Sequence, residues 1–422
     1  MGIVDAITYK QYLYPLFSFS NPKGEKIKMI KRVVIWGDDH HNALGLLRMI
    51  GGRGFDVLLI ISKKLDIATV SRFCTRYIVI PKLEDGLQYL IENYKDSENK
   101  AVLFFTADRY SEIANNSLSK LRDYFFVCGP IEEGVLQQID DKFVMGGLAS
   151  ECGFNVPKTY LLPRDKDYPI NIYPLIIKPC RPVSKDFKTI IVKDEREYAA
   201  ALKKLIPEKR YVVQQYIKKI ADCLVYGYRT IDGKTIIAGA CVRNRWSDDG
   251  CGSFGYVTPD LPEGVDAVPI SDFLSRINFY GVFSVEYGLT EGNAYFYEFN
   301  LRNDGTSHLF YQAGANIALA FVNSCFGEEI TESVQIKSKQ YLINEFWDRY
   351  NVNDKVITKK QYKQDFERST IFFYYDPDDM EPYNVQKAQN TWRSIRRMIS
   401  KSMINKVRLE IKKQEAKETQ VI

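Results

Sequence analysis

Short runs of β-branched and aromatic residues alternate with helix-like stretches over residues 31–127. The first run, Lys31–Gly37, precedes apolar residues at helical spacing over Ala43–Ile50, and Asp56–Ile61 is the next run. Two further strand-like runs are Tyr77–Ile80 and Ala101–Phe105. Apolar strands separated by helices indicate parallel βαβ units, because such strands are covered on both faces. We therefore expect a parallel sheet flanked by helices in this part of the chain.

The turn after the first strand has the sequence Asp38-Asp39-His40-His41-Asn42. A strand, a polar turn and a helix N-terminus together can hold a phosphate. The glycine pattern GxGxxG is absent here, so a dinucleotide-binding fingerprint is not supported. We interpret the region as a Rossmann-like domain with a structural role.

Beyond residue 131 the pattern changes to longer strands. A helix-like stretch begins at Lys142, and Tyr173–Pro179 is a strand-like run that carries Lys178 near its end. Two apolar runs, Leu224–Thr230 and Thr235–Val242, are joined by a segment that contains Asp232-Gly233. An Asp-Gly pair between apolar runs predicts a β-hairpin.

Composition excludes several classes of protein. The chain has 422 residues, 58 basic and 53 acidic, and a net charge of +5, which is too small to indicate a nucleic-acid partner. Eight cysteines occur without a CxxC pair and there are only three histidines, so neither a zinc site nor a disulfide framework is expected. A reduced, cytosolic compartment is the hypothesis that fits this cysteine usage.

No apolar run approaches the ~20 residues of a membrane span, and no signal peptide is predicted. Nine Lys and Arg residues against two Glu over residues 393–417 concentrate a charge of +7 in the C-terminal tail. Apolar residues recur there every four positions, which predicts a basic amphipathic helix. Two interpretations of this helix stay open, packing on the protein body and peripheral contact of residues 392–413 with an anionic membrane at its inner face.

The segment most indicative of chemistry is a predicted pair of strands that carries Glu286 and Glu298 among aromatic neighbours. Glu298, Asn300 and Arg302 are spaced by two, so a strand directs all three to one face. Carboxylate and amide oxygens suit Mg²⁺ bound together with nucleotide phosphates, and an arginine can bind a phosphate or carboxylate through two parallel bonds. A solvated polar face of a hairpin is the alternative.

Four motifs occur in an order that resembles the ATP-grasp superfamily, and the nearest resemblance is to its carboxylate-amine ligases of the carbamoyl-phosphate-synthase-like and D-aspartate-ligase-like types. The motifs are Asp141-Lys142, Tyr173–Pro179, Gln214–Ile217, and Glu286 followed by Glu298–Arg302. The resemblance implies a chain of mixed α/β and α+β class. It divides into a Rossmann-like pre-ATP-grasp domain (1–130), an ATP-grasp domain (131–330, lid about 155–215) and a helical C-terminal extension (331–422).

The resemblance also implies roles for individual residues. Lys142 and Lys178 would contact ATP, and Asp222 would bind the ribose. Arg302 and Arg245 would face an acyl phosphate or an anionic substrate. The adenine would lie against the backbone of Gln214, Gln215, Tyr216 and Ile217, and one or two Mg²⁺ ions, or Mn²⁺, would be held by Glu286, Glu298 and Asn300.

The chain departs from the family pattern in the loop that follows the lysine strand. Residues 180–188 contain no glycine, whereas many ATP-grasp enzymes have a glycine-rich loop there. Phosphate contacts would then come from the Ser184 hydroxyl and the charge of Lys185 or Lys188 rather than from bare backbone N–H groups. The departure weakens the case for activity without affecting the case for the fold.

The implied function is ATP-dependent ligation of a carboxylate to an amine through an acyl phosphate, with small-molecule substrates. An acceptor in a cell-surface polysaccharide or peptidoglycan precursor is a narrower hypothesis. The alternatives are a carboxylase or carbamoyl-phosphate-type enzyme, which would depend on bicarbonate, and a non-catalytic nucleotide-binding scaffold, which would bind Mg-ATP without releasing ADP.

Overall fold

The computed structural model describes residues 31–38, 40–64, 67–95, 99–162, 173–181, 189–247 and 250–392. Its N-terminal region is a five-stranded parallel sheet with strand order β3-β2-β1-β4-β5. The elements are β1 (Arg32–Gly37), α1 (His41–Ile50), β2 (Asp56–Ile61), β3 (Tyr77–Val79), α2 (Leu83–Asn93), β4 (Ala101–Phe105), α3 (Asp108–Asn115), α4 (Leu118–Leu121) and β5 (Phe125–Val127). The predicted parallel βαβ arrangement is therefore confirmed.

A short connection leads from this sheet to the next. It consists of β6 (Gly129–Pro130), α5 (Val135–Ile139) and α6 (Lys142–Glu151). The Asp141 carboxylate caps α6 by accepting hydrogen bonds from the backbone N–H groups of Phe143 and Val144, at 2.9 and 3.3 Å. Because the cap fixes where α6 begins, it also fixes the position of Lys142 in the first turn.

The predicted lid is a separate four-stranded antiparallel sheet with order β7-β10-β8-β9. Its elements are β7 (Thr159–Leu162), β8 (Leu175–Pro179), β9 (Ile190–Val192), α7 (Glu195–Leu202) and β10 (Tyr211–Gln215). Alternate residues of β8 and β10, including Ile177 and Val213, form its small apolar core with Tyr198 of α7. The other face of β8 carries Ile176 and Lys178.

The largest sheet has the order β15-β14-β11-β12-β13-β16-β17, and β6 adds to it by pairing with β14. The hairpin predicted at Asp232-Gly233 joins β11 to β12, and Gly233 has φ +88°, a conformation that favours glycine. The elements are β11 (Ala221–Arg229), β12 (Thr235–Trp246), β13 (Gly252–Thr258), α8 (Ala267–Arg276), β14 (Phe279–Thr290), β15 (Asn293–Asn300), α9 (Ser307–Gln312), α10 (Ile317–Cys325), β16 (Gln340–Ile343), α11 (Trp347–Asn353), α12 (Lys359–Arg368) and β17 (Ile371–Phe372).

Each face of this sheet carries its own apolar core. On one face Leu224 and Tyr226 of β11 join α1 of the N-terminal region and α10 in a single cluster. On the other face Cys223 and Val225 pack in the cluster that contains Phe273 of α8. The alternation of β11 thus ties the N-terminal region to one side of the sheet.

The region predicted as a helical extension contributes strands as well as helices. Both β16 and β17 lie within residues 331–422 and belong to the large sheet, and a further helix is described over 381–392. The basic amphipathic tail predicted from 392 onward lies outside the described residues, apart from Trp392. Among the described helices, none is long and apolar enough to cross a membrane.

Candidate active site

Two carboxylates occupy facing positions on neighbouring strands of the large sheet. Glu286 on β14 is the cross-strand partner of Glu298 on β15. Asn300, two residues further along, donates from Nδ2 to Glu286 Oε1 and to Ser284 Oγ, both at 3.1 Å. Burial and the negative charge of Glu298 raise the pKa of Glu286 to about 7. A divalent cation would relieve this repulsion, and the oxygen donors present fit such an ion.

Lys142 reaches the carboxylates from the first turn of α6. Its Nζ lies 3.0 Å from Glu298 Oε2. Burial disfavours the charged lysine, but the attraction of Glu298 outweighs this effect and raises the pKa of Lys142. The backbone N–H of Lys142 donates to the carbonyl of Cys180 at 2.8 Å, which fastens α6 to the end of β8 in the lid.

Lys178 approaches from the lid. Its Nζ lies 3.4 Å from Gln214 Oε1 and 5.5 Å from the ring centroid of Tyr297. Burial, followed by the positive charge of Lys142, lowers the pKa of Lys178 to about 8, while Glu298 acts in the opposite direction. One lysine from helix α6 and one from the lid sheet therefore lie near Glu298, whose charge acts on both.

The chain between β10 and β11 forms a hinge of irregular backbone. The Gln215 N–H donates to the carbonyl of Lys158 at 2.9 Å, and the Tyr216 N–H donates to the carbonyl of Pro174 at 3.1 Å. The carbonyl of Ile217 accepts from the Lys219 N–H at 2.9 Å, whereas the Ile217 N–H makes no hydrogen bond to a described residue. The Lys218 N–H makes no hydrogen bond within the described structure either, so the hinge leaves two backbone donors for a ligand.

Asp222 begins the strand that follows this hinge, and both of its carboxylate oxygens are engaged. One accepts from Lys219 Nζ and the other from the indole Nε1 of Trp246. The Lys219 ammonium also lies 5.1 Å from the centroid of the Trp246 ring. Asp222 therefore joins Lys219 to Trp246 rather than presenting a free carboxylate.

Arg302 connects the carboxylate pair to the N-terminal region. Its Nε and Nη2 donate to the two oxygens of Asp108, at 2.6 and 2.9 Å, and Nη2 also lies 3.3 Å from Asn300 Oδ1. Asp108 is the first residue of α3, next to the point where β1 and β4 lie side by side. The strand order reverses between β1 and β4, and open parallel sheets bind ligands at the position where the strand order reverses.

Arg245 is not brought to this cluster. Its guanidinium pairs with both oxygens of Asp348, at 2.7 Å each, and with Asp365 at 2.8 Å. A β-bulge in the pairing of β12 with β13, between Arg243 and Arg245, interrupts the two-residue alternation. The two arginines consequently do not share a face.

Arg243 is a candidate site residue that sequence reasoning missed. Glu286, Asp222 and Asp304 all stabilise its charge electrostatically and raise its pKa, although burial opposes them. Its buried Nε has no hydrogen-bond partner among the described residues. A buried guanidinium N–H without a partner beside the carboxylate pair is suited to an anionic ligand. Only the bulge distinguishes Arg243 from Arg245, and the sequence gives no sign of it.

The three remaining predicted residues, Ser184, Lys185 and Lys188, lie outside the described part of the chain. Their predicted contacts with phosphate stay predictions. The described residues that the structure brings together are Lys142, Lys178, Gln214, Glu286, Glu298, Asn300 and Arg302.

The parallel N-terminal sheet, the antiparallel lid and the large sheet together make up the ATP-grasp fold. The resemblance inferred from the four motifs is therefore confirmed for the fold. Solved structures with the same fold cover most of the chain, at sequence identities of 12 to 14%.

Three of these structures illustrate the likeness. N5-carboxyaminoimidazole synthetase from Staphylococcus aureus, complexed with ADP, has a TM-score of 0.60 at 13% identity over 80% of this chain and 88% of its own. The biotin carboxylase domain of 2-oxoglutarate carboxylase from Hydrogenobacter thermophilus has a TM-score of 0.57 at 14% identity, over 75% of this chain and 74% of its own. L-amino acid ligase from Bacillus licheniformis has a TM-score of 0.54 at 14% identity, over 71% of this chain and 75% of its own. No protein-family model and no curated protein sequence matches the chain.

Proposed function

We propose that this chain is an ATP-dependent ligase that joins a carboxylate to an amine through an acyl phosphate. The observation that carries the proposal is the pair Glu286 and Glu298, held side by side with the Lys142 ammonium 3.0 Å from Glu298. A ligand with several phosphates needs both cationic side chains and metal-binding carboxylates, and this site combines them. The fold, shared with structures described as a synthetase and a ligase, supports the same function.

The nucleotide would lie between the lid and the large sheet. The adenine edge would bind the free N–H of Ile217 and neighbouring backbone of Gln214–Tyr216. Lys142 of α6 and Lys178 of the lid would neutralise the phosphates, since both lie within the electrostatic influence of Glu298. Asp222 is left out of the proposed contacts because Lys219 and Trp246 already engage its oxygens.

Glu286, Glu298 and Asn300 would hold one or two Mg²⁺ ions, with Mn²⁺ as the substitute. When bound, the metal neutralises negative charge on the β- and γ-phosphates. Lys142 would neutralise part of the charge of Glu298 in the absence of the metal, since its Nζ lies 3.0 Å from Glu298 Oε2. With the metal bound, Lys142 would contact a phosphate.

The proposed reaction has two steps. A substrate carboxylate oxygen attacks the γ-phosphorus of ATP, the bond to the β-phosphate oxygen breaks, and ADP leaves. An amine then attacks the acyl carbon, inorganic phosphate leaves, and the amine nitrogen loses a proton. Arg243 and Arg302 would bind the anionic groups on either side of the carboxylate pair, and their fixed positions supply charge stabilisation without rearrangement.

A carboxylase is the second candidate. The solved biotin carboxylase domain is described in complex with MgADP and bicarbonate, and bicarbonate is itself a carboxylate that an acyl-phosphate mechanism can activate. Both candidates use the same nucleotide site. They differ in whether ADP release depends on bicarbonate or on an organic carboxylate.

A coupled ADP-release screen tests the proposal. Amino acids and other amines are crossed with organic carboxylates, including uronic acids that represent polysaccharide precursors, and with bicarbonate. We expect Glu298→Gln to abolish turnover because it removes a metal-binding charge. Glu291→Gln is the matched control, since Glu291 is exposed in the turn of the same hairpin and touches none of the site residues.

The outcomes separate the candidates. ADP release that requires an amine and an organic carboxylate supports the ligase, and release that requires bicarbonate supports the carboxylase. Turnover in Glu298→Gln equal to that in Glu291→Gln would contradict the metal assignment. Mg-ATP binding without ADP release above background in any mixture would identify a non-catalytic nucleotide-binding protein.

Peripheral membrane contact through residues 392–413 is a separate proposal that rests on the basic composition of the tail. Flotation with anionic vesicles tests it, comparing the full chain with one that ends at Trp392. Equal flotation of the two proteins would leave packing on the protein body as the role of the tail.

A further inference from the structure

A pocket of about 440 Å³ lies at the ends of β12 and β13, where the C-terminal segment packs against the large sheet. Its volume lies within the ~300–1,000 Å³ range of small-molecule sites. None of the residues proposed above to hold nucleotide or metal lines it. Its walls include Arg245, Trp246, Phe254, Val356, Ile357 and Arg368.

Two guanidinium groups in the wall of the pocket are held in place by buried carboxylates. Arg245 uses three of its five N–H groups on Asp348 and Asp365, and Arg368 pairs with Asp365 at 2.6 Å. The side chains of Asp348 and Asp365 are 0% and 1% exposed, whereas the Arg368 side chain is 44% exposed. The carboxylates therefore fix the guanidiniums, whose remaining N–H groups are left for a ligand. Such fixed planar donors recognise carboxylate and phosphate oxygens.

The rest of the wall is apolar and aromatic. The guanidinium carbons of Arg245 and Arg368 lie 4.4 and 4.7 Å from the centroid of the Phe254 ring. Val356 is 58% exposed, so its side chain is accessible to a ligand in the pocket. The combination suits a ligand that carries an oxyanion on an apolar body.

Trp246 connects this pocket to the hinge of the nucleotide site. Its indole N–H donates to Asp222, which also accepts from Lys219 Nζ. The backbone N–H of Lys219 in turn donates to the Ile217 carbonyl at 2.9 Å. A molecule packed against the Trp246 ring therefore contacts a chain of bonded groups that ends at the hinge.

We propose that this pocket binds a small organic anion, a carboxylate or a phosphomonoester on an apolar body, and that its occupancy changes nucleotide affinity through Trp246. The binding half of the proposal stands on the pocket alone, and the coupling half rests on the proposed nucleotide site. The experiment measures the two halves separately.

Binding is followed by the indole N–H signal of Trp246 in NMR spectra of the full chain, assigned with Trp246→Phe. The probes are benzoate and phenyl phosphate, with benzyl alcohol and benzylamine as neutral and cationic analogues. Inorganic phosphate tests whether the apolar body is needed. We expect saturable shifts with benzoate or phenyl phosphate, the stronger of the two identifying the oxyanion, and none with the other probes.

Three variants assign the effect to the pocket. Arg368→Met should weaken binding about tenfold or more, because it removes charged hydrogen-bond donors and keeps the apolar stem. Val356→Glu places a negative charge on an exposed rim position, leaves the buried ion pairs intact and should abolish binding. Lys363→Met, on the outer side of the same helix as Arg368, should change binding by less than about twofold. Equal binding in Val356→Glu and the wild type would overturn the proposal, as would the absence of a saturable shift with every anion.

Coupling is measured as the ADP dissociation constant with and without saturating benzoate or phenyl phosphate. We expect the constant to change in the wild type and to stay constant in Val356→Glu. An unchanged constant in the wild type would overturn the coupling half while the binding half stands. A failure to bind ADP under any condition would instead contradict the proposed function.

Discussion

Arg243 and Arg245 lie two residues apart on β12, yet their surroundings differ. Arg243 lies within the electrostatic influence of Glu286, Asp222 and Asp304. Arg245 is bound by Asp348 and Asp365, whose side chains are almost completely buried. The first arginine therefore has donor capacity for a ligand beside the carboxylate pair, and the second neutralises two buried charges that the C-terminal segment contributes.

Substitution of each arginine by methionine should separate these roles. Arg243→Met should lower ADP release about 100-fold or more, because it removes a fixed donor to developing negative charge. It should lower the free energy of unfolding less than Arg245→Met does, because Arg243 is near carboxylates without a described ion pair to any of them. Arg245→Met should lower the free energy of unfolding by about 3–5 kcal/mol, because it leaves the buried Asp348 carboxylate without its ion-pair partner, while Asp365 keeps Arg368. Steady-state ADP release and urea unfolding of both variants check this. Loss of turnover in fully stable Arg245→Met would contradict it.

The pKa of Lys178, lowered to about 8 by burial and by the charge of Lys142, predicts a pH dependence of nucleotide binding. Bound phosphates would favour the charged lysine, so ADP affinity should fall as the pH rises above about 8 and the free protein loses the proton. Lys178→Arg should abolish this fall, because arginine stays charged over the range. Titration calorimetry between pH 7 and 9.5 measures both proteins, and parallel pH profiles would exclude Lys178 as the source.

At the scale of elements, the segment around β17 is fixed by a few buried polar groups. The Glu345 carboxylate accepts from the backbone N–H groups of Phe373, Tyr374 and Tyr375, at 3.1, 3.0 and 2.7 Å. Gln312 of α9 binds both the N–H and the carbonyl of Phe372. A strand of two residues forms few backbone hydrogen bonds with its neighbour. The bonds from Glu345 and Gln312 hold the segment in place instead and attach it to the protein body.

Arg48 and Asp379 fasten the same segment to the N-terminal region. Arg48 Nε lies 3.0 Å from Asp379 Oδ2, and both side chains are almost fully buried. Asp379→Asn should lower the free energy of unfolding by about 3 kcal/mol, because it leaves the Arg48 charge buried and incompletely paired.

Asp378→Asn, at the exposed neighbouring position, is the matched control for that substitution. Urea unfolding and amide hydrogen exchange over residues 371–379 provide the measurements. Equal exchange rates in the two variants would show that the pair does not hold the segment.

The strands that the sequence predicts correctly are those whose signals are local. Runs such as Asp56–Ile61 carry their own apolar pattern, and the turn at Asp232-Gly233 needs a left-handed residue at Gly233. Strands β16 and β17 have four and two residues, and they pair with each other in parallel across 27 intervening residues. Nothing in so short a segment specifies its partner, because the pairing depends on side chains elsewhere, such as Glu345.

The distinction between local sequence signals and long-range packing also applies to the candidate active site. Glu298, Asn300 and Arg302 share a strand and its extension, so their spacing alone predicts a common face. The pairing of Arg302 with Asp108 joins residues 194 positions apart, and it depends on how the N-terminal sheet docks. Sequence reasoning reaches the residues of one strand and the order of the motifs, but not a contact that the packing of two sheets creates.

At the scale of the whole molecule, polar contacts lie beside the apolar cluster that joins the N-terminal region to the large sheet. Asn42 of α1 donates from Nδ2 to the Asn303 carbonyl at 2.9 Å, and the Tyr226 hydroxyl donates to Asn303 Oδ1 at 2.7 Å. His41 and His308, with ring centroids 6.5 Å apart, pack there against Phe373. The N-terminal region, the large sheet and the C-terminal segment therefore meet in one contact.

This contact predicts how stability depends on pH. Burial, followed by the positive charge of Arg48, lowers the pKa of His308 to about 3, and burial with the charges of His40 and His308 lowers that of His41. His308 Nε2 lies 3.0 Å from the Phe373 carbonyl, so the neutral ring donates from Nε2 while its Nδ1 has no hydrogen-bond partner in the described structure. Protonation would place a charge in a buried site that offers it no anion.

The direction of this pH dependence follows from the linkage between proton binding and folding. Unfolded histidine has a pKa of about 6.5, so between pH 6.5 and 3 the unfolded chain binds more protons than the folded one. The stabilisation by neutral His308 is complete above pH 6.5 and is lost as the pH falls, by about 3 kcal/mol at pH 4. His308→Gln keeps an N–H donor for the Phe373 carbonyl but does not titrate, so its urea midpoint should fall less steeply between pH 6.5 and 4 than that of the wild type. Because carboxylates titrate alike in both proteins, the difference between the two slopes isolates the histidine, and equal slopes would refute its role.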